Sequence, residues 1–292
     1  MALRRPLALI AGLFRELPVG DAVPVEAGGT GATTAAGARD ALGVREKLTA
    51  PRTYYVRTDG NDGNTGLSNS SGGAFATIQK AIDVAASFDL NGFAVTIQIA
   101  DGTYAEALVL RQAIGDGVIV IRGNLSAPAN VVLNSVAGTS ISTKHTVEGV
   151  SLSQGSAVIR LSSVRSDIAY GAVVFGSASY AHVAATAAGR TSAIGPVTIA
   201  GSAPAHVYAG TGGSAEMRSS AVTLTGTPMF ATGFAHAQIL GAVLADGNTF
   251  SGSGTGPRYA AALNGIVFVG GAGATYLPGS ATGTLATGGQ YA

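Results

Sequence analysis

Short β-type segments separated by Gly, Ser and Thr fill the sequence after Gly92. Similar segments recur without being identical: VTIA begins at Val197, VTLT begins at Val222, and Ala-His begins at Ala181, Ala205 and Ala235. Spacings of 24, 25 and 30 residues between these copies fit the coils of a solenoid whose loops differ in length. One coil cannot bury its own inner face, so such a chain is stabilised by stacking coil on coil.

The stretch from Tyr54 to Tyr104 predicts how the stack begins. The letters YYV at 54–56 indicate a short strand, and residues 59–73 are too rich in Gly, Asn, Asp and Ser for regular structure. A helix with Thr77 as its N-cap should follow, because the next residues form one apolar stripe. The stripe consists of Ile78, Ala81, Ile82, Ala85 and Ala86. The alternating VTIQIA at 95–100 predicts the next strand, so the order indicates a parallel β-helix whose open end the helix seals.

Alternate residues of each strand should point inward, among them Ile119 with Ile121 and Val222 with Leu224. Only 11% of the residues are charged and 43 of the 292 are Gly, so helix is disfavoured over most of the chain. Four of the sixteen acidic residues follow Gly117. A surface so poor in charge favours burial of one side against identical chains, and we expect an oligomer.

Several classes of function are not expected. The net charge of +1 and the scattered basic residues argue against nucleic-acid binding. The absence of Cys removes disulfides, thiol nucleophiles and thiolate metal sites. The start MALRRPLALIAGLF continues into Arg15 and Glu16 without a cleavage site, and no run is long enough to span a bilayer, so neither a signal peptide nor membrane insertion is predicted. A hairpin with strands at 7–10 and 13–17 is predicted instead.

Four regions are predicted along the chain: an N-terminal attachment hairpin and linker at 1–50, an opening cap with a short helix at 51–91, a parallel β-helix body at 92–257 and a C-terminal tip at 258–292. Within the first region, a short helix over Thr34 to Leu42 should end at Gly43.

Polysaccharide cleavage in a β-helix needs charge on the coil faces, either as two carboxyl groups or as a base with cations. The body offers only Glu148, Asp167, Glu216 and Asp246, and no two share an evident coil position. Glu216 and Asp167 are weak catalytic candidates, and their interpretation as solvated surface acids is favoured. The protein is therefore not expected to be an enzyme.

Metal binding is not predicted either. DGNDGNTG at 59–66 lacks the sixth-position Gly and the closing Glu of an EF-hand loop, so a hydrogen-bonded turn is favoured. His182, His206 and His236 each follow Ala and are expected to form a column of stacked, exposed imidazoles without a carboxylate partner.

Tyrosines gather toward the C-terminus, where exposed rings would stack on the C–H faces of sugars. The glycan-binding candidates are Tyr259, Tyr276, Tyr291, Arg258 and Asn264, with Gln290 as a further hydrogen-bonding group. Packing between subunits is an equally weighted explanation for the three tyrosines.

Three stretches carry a resemblance to a known family. RRPLALIAGLFRELPVGDAV is similar to the attachment hairpin at the start of many phage tail proteins, and GGTGATTAAGARDALG resembles a segment that recurs in their fibres. YYVRTDGNDGNTG, FATIQKAI and IADGTY resemble the start of their β-helix, and ALNGIVFVGGAGATYLPGSATGTLATGGQY is similar to fibre tips. In this order, the motifs resemble bacteriophage tail fibre or tailspike proteins with a pectate-lyase-like β-helix.

The resemblance implies a mainly β, right-handed parallel β-helix in a homotrimeric component of the virion tail. Residues 1–50 would dock on a tail or baseplate protein, and the distal end would face the host surface and recognise a glycan. No cofactor is implied. Two alternatives stay open at this point: a tailspike enzyme that depolymerises polysaccharide, and a passive connector that binds no receptor.

Overall fold

The computed structural model describes residues 29–292 and, before them, two strands, β1 (Leu7–Ile10) and β2 (Leu13–Glu16). These strands pair antiparallel, with Leu7 opposite Glu16 and Ile10 opposite Leu13. The predicted pairing of the two strands is confirmed. The predicted turn at residues 11–12 and the predicted strand end at residue 17 lie outside the described residues.

Every strand of the body pairs in parallel, in three ladders. The main ladder consists of β3 (Arg52–Val56), β4 (Ala94–Ile99), β7 (Val118–Arg122), β10 (Lys144–Leu152), β12 (Asp167–Phe175), β14 (Arg190–Ala193), β17 (Ser214–Glu216), β20 (Ala242–Leu244), β23 (Ile266–Phe268) and β25 (Gln290–Tyr291). A side ladder joined to it through β10 and β12 adds β5 (Gly102–Thr103), β8 (Val131–Leu133), β15 (Val197–Ile199), β18 (Ala221–Leu224) and β21 (Thr249–Ser251).

The third ladder is a separate sheet of eight strands. It consists of β6 (Ala107–Val109), β9 (Ser135–Thr139), β11 (Ile159–Val164), β13 (Ala181–Thr186), β16 (Ala205–Gly210), β19 (Gly233–Gln238), β22 (Tyr259–Ala262) and β24 (Thr284–Leu285). The chain therefore forms a parallel β-solenoid of about 8 turns, as the spacing of its segments predicts. The predicted regions 51–91 and 258–292 both contribute strands to these ladders, since β3 opens the main ladder and β22 to β25 extend it and its neighbour.

The register of the coils follows the repeats seen in the sequence. Val197 pairs with Val222 and Ala181 with Ala205, as their spacing predicts. The strands β10 and β12 each serve two ladders because they bend in the middle, where Gly149 and Ala172 have φ of +69° and +49°. Glycine reaches this left-handed conformation without steric cost, whereas alanine reaches it with strain.

The core runs along the solenoid axis as rows of inward-pointing apolar side chains. Ile119, Ile121, Val222 and Leu224 are all buried, which confirms the predicted inward positions. Successive coils place similar side chains one above another, because parallel pairing sets residues at the same place in each coil side by side.

Two helices account for most of the 8% helical content, together with a 3₁₀ turn at Pro128–Asn130. Helix α1 (Ala35–Leu42) ends at left-handed Gly43, as predicted, and begins one residue later than predicted because Thr34 is its N-cap; none of its residues is buried. Helix α2 (Ile78–Ala86) buries all five residues of its predicted stripe and packs against β3, β4 and β6. No helix in the described part of the chain is long and apolar enough to cross a membrane.

The N-terminus of α2 is held by two carboxylates from other segments. The Ile78 and Gln79 amides donate to the two carboxylate oxygens of Glu106, each at 2.9 Å. Asp62 accepts from the Thr77 amide and from the Thr77 hydroxyl, at 2.9 and 2.7 Å. Negative groups at this end satisfy amides that the helix leaves without partners and interact favourably with the helix dipole. Glu106 thereby ties α2 to the first full coil.

A column of left-handed turns runs down the corner between the eight-stranded sheet and the main ladder. Both residues have positive φ in each turn: Ala187–Ala188, Thr211–Gly212, Ile239–Leu240, Leu263–Asn264 and Thr287–Gly288. The second residue of each turn donates its amide to the carbonyl of the next turn, as Leu240 does to Leu263 at 3.1 Å. Ile239, a β-branched residue at φ +52°, is an outlier there, because such residues avoid this conformation.

We predict that Glu106→Ala lowers the free energy of unfolding by about 1–3 kcal/mol, because two helix amides lose a charged acceptor at once. Asp83→Ala is the matched control, since Asp83 forms an exposed ion pair with Arg111 at 3.0 Å and its loss should cost under about 1 kcal/mol. Urea unfolding followed by circular dichroism measures both. Equal losses in the two variants would contradict the proposed anchoring role of Glu106.

Candidate functional site

The tyrosines predicted to bind glycan lie in the last coils, and two of them contact each other inside the solenoid. Tyr259 is 6% exposed, and its ring stacks on that of Tyr291 with centroids 3.9 Å apart and planes at 19°. Burial raises the pKa of Tyr291 to about 12. Gly283 lies against the Tyr259 ring, where any Cβ would clash with it. This stack is part of the apolar core.

Two of the remaining candidates, Tyr276 and Arg258, use their polar groups within the chain, whereas Asn264 and Gln290 are exposed. The Tyr276 hydroxyl donates to the Asn248 carbonyl and accepts from the Asn248 amide, at 3.1 and 2.6 Å. Arg258 donates to the Leu277 carbonyl at 2.9 Å, and Asn264 lies in the column of left-handed turns. The Gln290 amide continues the backbone pairing of the last coil. Glycan binding by this group stays a prediction.

Each acid of the body lies beside an arginine on the outer surface of the main ladder. Glu216 accepts from Arg190 at 2.9 Å, and Asp167 pairs in register with the same Arg190. Arg218 binds Asp246 through two hydrogen bonds and lowers the pKa of its carboxyl. A general acid needs the opposite shift, and of the two catalytic candidates Glu216 is held in an ion pair with Arg190.

The predicted column of exposed histidines is wrong in two respects. His182 and His206 stack as predicted, with ring centroids 5.3 Å apart, but both are fully buried against Phe175 and Phe234. His236 lies outside the column and contacts the Tyr208 ring at 5.1 Å. The coil before it is longer than its neighbours, because Ala205 pairs with Gly233 and not with Ala235. An Ala-His spacing of 30 therefore exceeds the coil length by two residues.

Burial keeps the two inner histidines neutral. Their Nδ1 atoms are 3.2 Å apart, so one ring donates and the other accepts, and neither Nε2 has a partner among the described residues. Burial lowers the pKa of His182 to about 3, and the positive charge of Arg160 adds to this effect. The pKa of His206 is also well below its usual range, because of burial and the neighbouring His182. A third buried imidazole, that of His145, has its pKa lowered to about 4 by burial.

Arg160 lies in register with this pair and is 1% exposed. Its five N–H groups all donate to backbone carbonyls: those of Asn134, Gln154, Gly155 and, twice, Ser177. These carbonyls belong to loops that follow the side ladder in three consecutive coils. The sequence gives no signal that separates Arg160 from the exposed arginines. The partners of Arg160 are backbone oxygens, which every residue has, rather than acidic side chains.

An open cavity of about 590 Å³ lies beside Arg160, between the loops at 153–158 and 176–179. Three serine hydroxyls line it, those of Ser156, Ser177 and Ser179, and all three residues are exposed. Tyr180 directly follows the second loop, is 37% exposed and meets Tyr208 edge to face at 5.1 Å. Tyr208 also accepts from Gln238 at 2.8 Å and contacts His236 on its other side. The outer face of the eight-stranded sheet thus carries a row of aromatic and amide groups.

The described residues do not form a metal site. Between residues 29 and 292, no three His, Asp or Glu side chains converge as a metal site requires. The segment DGNDGNTG forms hydrogen-bonded turns, with the Gly63 amide donating to the Asn61 side chain at 2.8 Å. Asp59 is bound by Arg57 and Asp62 by the start of α2, which confirms the predicted turn.

Comparison with known proteins supplies no relative. No protein-family model, no curated protein and no solved structure matches this chain.

We predict that acid weakens the fold through the buried histidines. Their pKa values are lowered in the folded state and near ~6.5 when unfolded, so the unfolded chain takes up protons first as pH falls below 6.5. The contribution of these histidines to the free energy of unfolding is complete above that pH. It is lost as the pH falls from there toward their lowered pKa values in the folded state. From pH 6.5 to 5, each such histidine should cost about 2 kcal/mol.

His182→Phe/His206→Phe tests the assignment, because Phe234 already occupies the equivalent place on the next coil. Urea midpoints at pH 7 and pH 5 should lie closer together in this variant than in the unchanged protein. His236→Phe is the control, since that imidazole is half-buried and should keep most of the dependence. If the difference between the two urea midpoints is unchanged in the double variant, the acid sensitivity belongs to other groups.

Proposed function

We propose that this protein is a subunit of a bacteriophage tail fibre or short tailspike, which attaches to the tail through residues 1–50 and presents its solenoid to a glycan on the host surface. The observation that carries the proposal is the parallel β-solenoid of about 8 turns that follows an N-terminal hairpin. A rod of this kind exposes long faces made mostly of small polar side chains, which suits a structural particle component. The sequence motifs, in their order along the chain, support the same assignment.

The proposal includes a right-handed, pectate-lyase-like coil with α2 as the cap of its first turn. Helix α2 packs against the first strands of two ladders, β3 and β6, whose backbone groups would otherwise offer an edge for pairing. Solenoids need an atypical terminal element of this kind to stay soluble. The two carboxylates at the helix start hold α2 in place.

The subunits are proposed to assemble as a parallel homotrimer. Apolar side chains stand exposed along the turn column, with Leu240 69%, Leu263 47% and Ile239 42% accessible. In an isolated subunit, no favourable contact offsets the backbone strain of these turns or the exposure of their apolar side chains. A ridge parallel to the solenoid axis suits a partner of the same length and direction, and three copies would bury it around one axis.

Glycan recognition is proposed for the face that carries Tyr180. The Tyr180 ring is 37% exposed and offers a flat surface to a sugar ring, whereas Tyr208, 6% exposed, packs edge to face against it and contacts Gln238 and His236. Three such faces on one trimer would convert weak sugar contacts into useful avidity.

The direct test follows fluorescently labelled, purified protein on cells of candidate host strains over time. Stable surface fluorescence that soluble surface polysaccharide competes away is the expected result. Absence of staining across strains by an assembled trimer would overturn receptor recognition and favour a passive connector.

We predict that Leu240→Asn weakens the trimer without harming the subunit. Asparagine tolerates positive φ, and Asn264 occupies the equivalent place in the next turn. Light scattering across a dilution series should show the mass of the variant falling toward one subunit at concentrations where the unchanged protein stays trimeric. Leu67→Asn, at an exposed leucine in the 59–73 loop, is the control and should leave the trimer intact. A variant as trimeric as the control would remove the turn column from the interface.

A further inference from the structure

Arg160 is a permanent cation, and no carboxylate within residues 29–292 pairs with it. The side chain is buried, its five N–H groups bind only carbonyl oxygens, and burial is the one cause that lowers its pKa. Carbonyl dipoles satisfy the donors but leave a net positive charge. The body contains few acidic residues, so little negative charge offsets that of Arg160. The positive charge therefore acts on any ligand in the neighbouring cavity.

Arg160 orients two peptide groups at the edge of the cavity. The carbonyls of Gln154 and Gly155 point at the guanidinium, at 2.9 and 2.8 Å. In a trans peptide the N–H points opposite to the C=O, so the amides of Gly155 and Ser156 point away from Arg160. Both residues line the cavity, and within residues 29–292 neither amide donates to another group. Two adjacent amides without partners, with a cation on the carbonyl side of the same peptides, are donors that an oxyanion could use.

The rest of the cavity offers what a sugar ring requires. Its volume of about 590 Å³ falls in the usual range for small-molecule sites. Ser177 and Ser179 contribute hydroxyls from the facing loop, and Tyr180 after that loop is held edge to face by Tyr208. Tyr180 directly follows Ser179, which lines the cavity, and is 37% exposed.

We propose that this cavity binds the carboxylate of an acidic sugar, with the Gly155 and Ser156 amides on the carboxylate oxygens and Arg160 supplying the charge behind them. The Ser177 and Ser179 hydroxyls bind ring hydroxyls, and Tyr180 packs against the ring. This inference deepens the proposed function, on which it rests, by naming uronic acids as the sugar class that the rod recognises.

The test compares methyl glucuronide with methyl glucoside, which differ at one carbon by carboxylate against hydroxymethyl. Titration of the full-length protein, followed by ligand-observed NMR, should show the glucuronide binding at least about tenfold more tightly. Its affinity should fall as salt is raised, because the attraction is largely electrostatic. Equal binding of the two glycosides, or no binding of the glucuronide, would overturn the assignment.

Ser156→Asp places a negative charge at the mouth of the cavity on an exposed residue, so folding should be unaffected. It should weaken glucuronide binding at least about tenfold, because the added carboxylate repels that of the ligand. Ser253→Asp makes the same change in the equivalent loop four coils along, about 19 Å away, and should have no effect. A full-affinity Ser156→Asp variant would contradict the site.

The two proposals fail in different ways. If cells are stained by the unchanged protein and equally by Ser156→Asp, glycan recognition stands and the acidic-sugar site is wrong. If the unchanged protein stains no cells but binds glucuronide in solution, the site stands and the receptor role is wrong.

Discussion

Parallel, in-register pairing between successive coils is the constraint on which the rest of this structure depends. Each backbone strand is completed only by the coil before and after it, so no coil is stable alone. The same register brings like side chains into rows, and these rows build an apolar core from short segments with few large residues. A chain with 43 glycines and little charge can fold in this way because backbone hydrogen bonds between coils supply most of its regular contacts.

Register also explains the unusual corner of the solenoid. A turn that stacks on an identical turn donates its amide to the carbonyl of the next one, so the conformation is copied from coil to coil even where the residue resists it. Threonine, leucine and isoleucine thus adopt left-handed φ at Thr211, Leu263 and Ile239. Backbone strain at a single residue costs roughly 1–3 kcal/mol, which the paired neighbours must offset.

Much of the fold could be predicted from the sequence, because periodicity is local. The stripe of α2, its Thr77 cap and the pairing of Val197 with Val222 all follow from spacing. The site could not be predicted in the same way. The position of His236 depends on an extra loop in one coil, and His182 and Val183 are consecutive yet both buried, which breaks the alternation expected of a strand. Tyr259 looked available for ligand but packs inward, where Gly283 leaves room for its ring.

The hydrogen bonds from Arg160 to backbone carbonyls change how the solenoid is expected to unfold. A simple solenoid behaves as a one-dimensional chain of units in which each coil senses only its two neighbours. Arg160 belongs to one coil but binds oxygens of the coil before, of its own coil and of the coil after, through Asn134, Gly155 and Ser177. Coupling therefore extends beyond nearest neighbours at this point. Fraying that starts at either end meets a block of three coils that must open together, and the middle of the rod becomes its most cooperative segment.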